Sequence, residues 1–237
     1  MTLLYSAEGG IATLTLNRPE ARNALNGEMC EALRAAALQA AGDAAVKLVV
    51  VRGAGPAFCA GADVKERTGM NQDQVRARRL QAFAAYRALE ALPMPALAVV
   101  QGAAIGAGVE IAAACDFIVA TPDAVFGTPE ATRGSVGATQ RLPRVLGKRL
   151  AKDLMFTGRR LSAEEARAAG LVSRVVADLD GEIQKISRTI LEAPPEAMRA
   201  AKQCIDRGVE LDARGALALE LAAIEAQLAS GRWMGKA

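Results

Sequence analysis

Residues 96–116, ALAVVQGAAIGAGVEIAAACD, contain in one stretch the pattern that decides the fold. Ala96 to Val100 form a short continuous apolar run, which predicts a strand covered on both faces. Gly102 to Gly108 form a glycine-spaced turn, and Val109 to Ala114 predict a short apolar helix. A buried strand is therefore followed by a loop and then by a helix.

The same order occurs earlier in the chain. Lys47 to Arg52, KLVVVR, predict a second buried strand, and residues 53–66, GAGPAFCAGADVKE, form a glycine-rich loop. A helix is predicted from about Asp73 to Leu92, where Pro93 and Pro95 stop it. Repeated strand, loop and helix units predict an α/β fold with a mainly parallel sheet, whose chemistry lies in the loops after the strands.

The first forty residues predict a hairpin followed by a helix. Leu3 to Ser6 and Ile11 to Leu16 are joined by Gly9 and Gly10, and the second run alternates apolar and polar residues. Apolar residues then recur at helical spacing from Leu25 to Ala41. Asn23 or Asn26 would cap this helix.

The second half of the chain becomes mostly helical. Phe117 to Ala120 predict one more strand. Three helical stretches follow Gly181, with breaks at Pro194-Pro195 and near Gly208. The last stretches predict a separate helical layer. We therefore expect a core with the active site over residues 1–180, and a helical region for oligomerisation or cover over residues 181–237.

Composition excludes several classes of function. The 237 residues carry a net charge of only +3, without a block of basic residues, so nucleic-acid binding has little support. The start, MTLLYSAEGG, lacks the pattern of a secretory signal, and no stretch is long and apolar enough to span a bilayer. We expect a cytoplasmic protein with neither a nucleic-acid nor a membrane partner.

The chemistry-bearing residue types narrow the mechanism further. Four cysteines are scattered without a Cys-x-x-Cys pair, which predicts neither a zinc site nor a disulfide framework. The chain contains no histidine, so Ser-His and Cys-His catalysis and imidazole metal sites are excluded. We expect no metal, and proton transfer must use Asp, Glu, Lys, Tyr or Cys.

Five segments, in this order, resemble the enoyl-CoA hydratase/isomerase (crotonase) superfamily. The resemblance implies a crotonase-like spiral of ββα units with a helical C-terminal layer. It extends over nearly the whole chain up to about Val176. The segments are NRPEARNAL (17–25), FCAGADVKE (58–66), QGAAIGAGVEIAAACD (101–116), FGTPEATRGS (126–135) and TGRRLSAEEARAAGLVSRVV (157–176).

The resemblance implies an oxyanion hole made by the backbone amides of Ala62 and Ala107. An enzyme that forms an enolate of a thioester must stabilise charge on the carbonyl oxygen, and each fixed amide contributes roughly 3 to 4 kcal/mol. Gly61 would allow the turn that directs the Ala62 amide inward, and Gly106 would act similarly beside Ala107. The alternative is that these glycines only allow close packing. The Gly-x-Gly-x-x-Gly spacing of dinucleotide loops is absent.

Glu110 and Glu130 match the positions of the two catalytic glutamates of the superfamily. Glu110 lies in the first turn of an otherwise apolar helix, where a buried charge is costly, and Glu130 follows Pro129 at a junction between a loop and a helix. Glu110 could instead be a partner of the helix dipole, and Glu130 could be an exposed acid of a first helical turn. We hypothesise that Glu110 polarises water that attacks Cβ while Glu130 delivers a proton to Cα. The pair should titrate as a coupled unit.

The resemblance also implies a binding site for coenzyme A, which is part of the substrate, so that no separate cofactor is expected. Arg22 and Lys65 could instead be solvated surface charges, and Asp63 could be a side chain that stabilises a turn. The implied positions are Ala21, Arg22, Ala60, Asp63 and Lys65, together with the loop glycines Gly61 and Gly106.

Two segments depart from the family pattern. The stretch after Glu130, GSVGATQ at 134–140, is shorter than is common in the family and would alter the acyl pocket. The last residues, GRWMGKA at 231–237, stand where the family usually continues into a basic helix, so a neighbouring subunit could supply the cover of the CoA site. We expect a homotrimer or a dimer of trimers, because the helical layer has large Ala and Leu faces.

Enoyl-CoA hydratase activity is the main hypothesis, because glutamate is present at both positions. An enoyl-CoA double-bond isomerase, or another CoA lyase of the superfamily, would use the same enolate chemistry. A non-catalytic homologue that binds CoA or RNA is a further alternative, against which the aromatic content of only 3% and the scattered cations argue.

Overall fold

A computed structural model gives the structure of the chain, and it describes residues 1–231. The described part contains two sheets and a series of helices. The strands are β1 (Leu3–Glu8), β2 (Ile11–Leu16), β3 (Leu48–Gly53), β4 (Ala96–Val100), β5 (Ala103–Ile105), β6 (Phe117–Ala120), β7 (Val125–Gly127), β8 (Arg160–Ser162) and β9 (Arg174–Val175). The helices are α1 (Gly27–Gly42), α2 (Gln72–Glu90), α3 (Ala107–Ala113), α4 (Arg141–Thr157), α5 (Ala163–Ala168), α6 (Leu179–Glu192), α7 (Pro195–Gly208) and α8 (Ala213–Ala229).

The larger sheet has the strand order β1-β2-β3-β4-β6-β9. Only the β1–β2 hairpin is antiparallel, and every other pairing in this sheet is parallel. The central strands β3 and β4 are almost entirely buried because helices cover both faces, which explains their continuous apolar runs. The predicted α/β fold with a mainly parallel sheet is therefore confirmed.

The smaller sheet has the order β5-β7-β8 and lies directly beyond the end of β4. β5 and β7 are parallel, and the backbone at Cys59 forms a parallel bridge with Ala104 of β5. The glycine-rich loop after β3 therefore runs against the short strand after β4. This contact brings together the loops that follow two neighbouring strands.

The predicted elements of the first half have nearly the observed bounds. The first helix begins at Gly27 with Asn26 as its cap, since the Asn26 side chain accepts a hydrogen bond from Met29 N–H. Asn23, the other candidate cap, is instead fully buried and donates hydrogen bonds to the carbonyl oxygens of Ala54 and Ala57. The prediction of a turn over 102–108 was incomplete, because it contains β5 and the start of α3.

The C-terminal helices differ in how they contact the core. α6 packs on the larger sheet through Ile186 and Ile190, which join a buried cluster with residues of β3, β4 and β6. Neither α7 nor α8 has a buried residue within the described chain, and the two helices pack on each other. The division of the chain at residue 180 stays a prediction. Most of the predicted terminal segment, 232–237, lies outside the described residues.

No helix within residues 1–231 has both the length and the apolar character needed to cross a membrane.

Candidate active site

A cleft of about 210 Å³ opens where the loop after β3, the start of α3 and the segment after β7 meet. One wall is provided by α2, through residues such as Phe83 and Tyr86. Eight of the predicted site residues line this cleft: Ala60, Gly61, Ala62, Asp63, Gly106, Ala107, Glu110 and Glu130. The structure therefore brings together residues from three separate segments of the sequence.

Ala62 and Ala107 occupy equivalent positions on the two paired backbones. Each lies three residues beyond the Cys59–Ala104 bridge. The paired segments are close, because a Cβ added to Gly61 would lie 3.1 Å from the Ile105 carbonyl oxygen. Within residues 1–231, neither the Ala62 amide nor the Ala107 amide donates a hydrogen bond to another protein group. Two amides beside one cleft are thus available to a ligand.

Glycine is required at two positions of this arrangement. Gly106 has φ 53°, a left-handed value that side chains with a Cβ rarely adopt. A Cβ on Gly108 would lie 2.3 Å from the Cys59 carbonyl oxygen, so that any larger residue would separate α3 from the loop after β3. Gly106 and Gly108 therefore allow the close packing and also determine the backbone conformation on either side of Ala107.

Glu110 is buried in the first turn of α3, with 5% of its surface exposed. Its Oε2 accepts a hydrogen bond of 2.6 Å from Nη1 of Arg141. The same guanidinium group binds both carboxylate oxygens of Glu90, at 2.6 and 2.8 Å. Glu110 lines the cleft, whereas Arg141 does not. The buried carboxylate therefore has a counter-ion that does not itself line the cleft.

Glu130 has a different environment. It precedes a short 3-10 turn at Ala131–Arg133, is half-buried, and has an Oε2 without a hydrogen-bond partner among the described residues. Burial raises the pKa of the Glu130 carboxyl above its usual value, and the negative charge of Glu110 raises it further, although Arg133 opposes this shift. The two glutamates are thus near enough to interact, and of the two only Glu110 is hydrogen-bonded to a cation within residues 1–231.

The segment after Glu130 is held in place by α2 and by glycine contacts. Arg79 donates hydrogen bonds to Ser135 Oγ at 2.8 Å and to the Val136 carbonyl oxygen at 3.3 Å. A Cβ on Gly137 would lie 2.9 Å from Cγ of Glu130. This short segment therefore packs directly on the glutamate.

Three predicted CoA-binding residues are not part of the cleft wall. Ala21, Arg22 and Lys65 lie outside the set of lining residues, and Arg22 and Lys65 are exposed. The Arg22 carbonyl oxygen accepts a hydrogen bond from Ala60 N–H, which connects the two loops.

Asp63 has a structural partner. It forms a 2.9 Å salt bridge with Arg18 and accepts a hydrogen bond from the backbone of Lys65. Burial alone would raise the pKa of the Asp63 carboxyl, but the hydrogen bonds from Arg18 and from the backbone amides of Lys65 and Glu66, together with the charge of Arg18, outweigh burial and lower that pKa. These contacts agree with the alternative of a side chain that stabilises the turn.

Arg141 was missed in the sequence, although one signal was present. It is the first residue of α4, where the helix dipole disfavours a positive charge. A cation at that position needs acidic partners, and here these are Glu90 and Glu110. Sequence alone does not reveal which acids are close, because they lie far away in the chain.

The family model of the enoyl-CoA hydratase/isomerase family matches residues 6–231 of the chain. The chain belongs to this family, whose members act on acyl-CoA thioesters.

Individual relatives and solved structures are similar over most of their length. A protein of Bacillus subtilis named putative enoyl-CoA hydratase/isomerase YngF is 42% identical over 223 residues, which cover 91% of this chain and 85% of that protein. The short-chain-enoyl-CoA hydratase of Clostridium acetobutylicum is 38% identical over 92% of this chain and 86% of its own. The crystal structure of enoyl-CoA hydratase from Bacillus anthracis has a TM-score of 0.91 at 37% identity and covers 95% of this chain and 90% of that one. These similarities confirm the expected crotonase-like fold.

Proposed function

We propose that the protein is an enoyl-CoA hydratase, which adds water across the double bond of a 2-enoyl-CoA. The observation that carries this proposal is that Glu110 and Glu130 line one cleft in unlike environments. Hydration needs an acceptor for a proton of water and a donor for Cα, and two carboxyl groups with different surroundings can take these separate roles.

In the proposed reaction, the thioester oxygen binds to the amides of Ala62 and Ala107. Glu110 orients the water and accepts its proton as the oxygen attacks Cβ. Glu130, whose raised pKa favours its protonated form, donates a proton to Cα of the resulting enolate. Both amides are free of protein acceptors within residues 1–231, which supports their proposed role as fixed donors to the oxyanion.

Coenzyme A would lie along two neighbouring loops. One contains Arg22, and the other runs from Ala60 to Lys65. Ala60 and Gly61 line the cleft, while the cations of Arg22 and Lys65 are exposed and lie outside its wall. This arrangement suits a ligand with an uncharged pantetheine arm in the cleft and charged phosphates outside it. Asp63 would contribute indirectly, through its salt bridge with Arg18.

A double-bond isomerase is the second candidate, and the contact between Glu110 and Arg141 is the observation that favours it. An isomerase that moves a proton between two carbons can work with one carboxyl group, and Glu130 is the one without a hydrogen-bonded cation. Glu110 would then be a structural partner of Arg141.

The two candidates are separated by Glu110→Gln and Glu130→Gln, each assayed on a 2-enoyl-CoA and a 3-enoyl-CoA. A hydratase predicts that either change lowers the hydration rate by about 10² or more. The double variant should be little worse than either single one, because groups that act as a unit fail together. Glu110→Gln with intact hydration would contradict the two-carboxylate mechanism, and retained isomerisation in that variant alone would support the isomerase.

A further inference from the structure

The guanidinium group of Arg141 is fixed on several sides at once. Nη1 binds Glu110, Nε and Nη2 bind Glu90, and the ring of Tyr86 lies 5.2 Å from the guanidinium carbon. Only 17% of the Arg141 side chain is exposed. A paired, forked hydrogen bond and an aromatic face together hold a planar cation in one orientation.

The position of Arg141 in its helix is unfavourable without these partners. It is the first residue of α4, where the N-terminal dipole repels a cation, and the side chain of the capping residue Gln140 makes no capping hydrogen bond to the helix backbone. Burial alone would lower the pKa of Arg141, but the hydrogen bonds that its guanidinium group donates to Glu90 and Glu110, together with the negative charges of these two acids, outweigh burial and raise that pKa. The cation is therefore stabilised by the two acids that it bridges.

The buried carboxylate of Glu110 likewise needs a partner of opposite charge. Its side chain is 7% exposed, it is close enough to Glu130 for their charges to interact, and a buried carboxylate without a partner is costly. Arg141 contacts only Oε2, and no group within residues 1–231 donates a hydrogen bond to Oε1. Arg141 thus binds one carboxylate oxygen of Glu110, while the other has no hydrogen-bond donor among the described residues and can accept a hydrogen bond from a ligand or water.

We propose that Arg141 is a positioning residue for hydration, which orients Glu110 toward the attacking water and supplies the counter-ion that its negative charge needs beside Glu130. This inference rests on the proposed function. Glu90 acts as a second anchor that prevents the guanidinium group from rotating away. Without Arg141, two neighbouring carboxyl groups would compete for one negative charge, and the distinction between acceptor and donor would be lost.

The test compares Arg141→Met and Arg141→Lys with Arg144→Met on crotonyl-CoA. Arg144 is a suitable control because it is in the same helix, is 59% exposed and pairs with Glu210. We expect Arg141→Met to lower kcat for hydration by about 10² with a much smaller change in KM, since the group acts on the reacting carboxylate and not on CoA. Arg144→Met should resemble the parent enzyme.

The pH profile separates positioning from a general loss of folded protein. In Arg141→Met the acid limb of kcat/KM should move to higher pH, because the negative form of the acceptor has lost its counter-ion. Arg141→Lys should restore part of kcat, since an ammonium group supplies charge without the fork that binds Glu90 and Glu110 together. Glu90→Gln should lower kcat less than Arg141→Met does and move the profile in the same direction.

Each negative result has a distinct meaning. A parent enzyme that does not hydrate crotonyl-CoA would overturn the proposed function and this role of Arg141 with it. An active parent, with Arg141→Met at normal kcat and an unchanged pH profile, would overturn the role of Arg141 alone. An equal loss in Arg144→Met would also contradict it. If Arg141→Met fails to fold, Arg141→Lys and Glu90→Gln decide, and parent-like kcat and pH profiles in both would overturn the proposal.

Discussion

Gly106 lies directly against the carboxyl group of Glu130, and a Cβ built on Gly106 would be 2.7 Å from Oε1 of Glu130. Gly106 is also the residue before Ala107, one of the two proposed amide donors. A single glycine therefore links the position of the proposed acid to the backbone of the proposed oxyanion hole.

Gly106→Ala should lower the hydration rate by about 10²-fold. The added Cβ would push the Glu130 carboxyl group away from the reacting carbon, and a small displacement of a catalytic group is enough to slow a reaction strongly. Gly134→Ala is the matched control for backbone strain. It also has a positive φ, of 69°, but no atom lies within 4 Å of its added Cβ. Steady-state rates and melting temperatures should show that both variants lose stability while only Gly106→Ala loses most of its activity.

The central strands β3 and β4 were predicted well, because strands that are buried on both faces consist of continuous apolar runs. The smaller sheet was not predicted, since β5, β7 and β8 have only three residues each and cannot show a period. Glu110 and Glu130 were predicted as site residues through the resemblance, and both line the cleft. The contacts of Arg141 were not, because its acidic partners are 31 and 51 residues away in sequence and only the fold brings them together.

Glu130 should destabilise the folded protein at neutral pH. Its folded-state pKa is raised above the usual value of 4.5, chiefly by burial. Ionisation of Glu130 therefore costs the folded protein no stability below the unfolded-state pKa. Stability is lost as the pH rises through the folded-state pKa. Glu130→Gln, which stays neutral, should raise the melting temperature at pH 8 more than at pH 4. An equal effect at both pH values would contradict an ionisation origin.

Ala107→Pro tests the proposed amide donor with limited damage to the fold. Ala107 is the first residue of α3, a position where helices tolerate proline. Loss of the N–H should lower kcat by about 10²- to 10³-fold. Ala107→Gly keeps the N–H and should remain active. Circular dichroism should be unchanged in both, and near-parent rates in a folded Ala107→Pro would exclude this amide from the oxyanion hole.

The exposed apolar side chains of α8 predict self-association. Leu217, Leu221, Ile224 and Leu228 are all more than 40% exposed on α8, which is a large apolar face to leave in water. We expect a trimer or a dimer of trimers in analytical ultracentrifugation, and Leu221→Lys should shift it toward smaller species. Leu38→Lys is the control, since Leu38 on α1 is equally exposed at 52%. A parent protein that is monomeric at micromolar concentration would refute the prediction.

The most direct test of the whole account is the reaction of the purified parent protein with crotonyl-CoA, followed by the ultraviolet absorbance of the conjugated thioester. We predict that the absorbance falls, that the product is 3-hydroxybutyryl-CoA, and that Glu110→Gln combined with Glu130→Gln slows the change by about 10²-fold or more. Crotonyl-CoA that keeps its absorbance with folded parent protein, or is consumed equally fast by the double variant, would contradict hydration by these two glutamates.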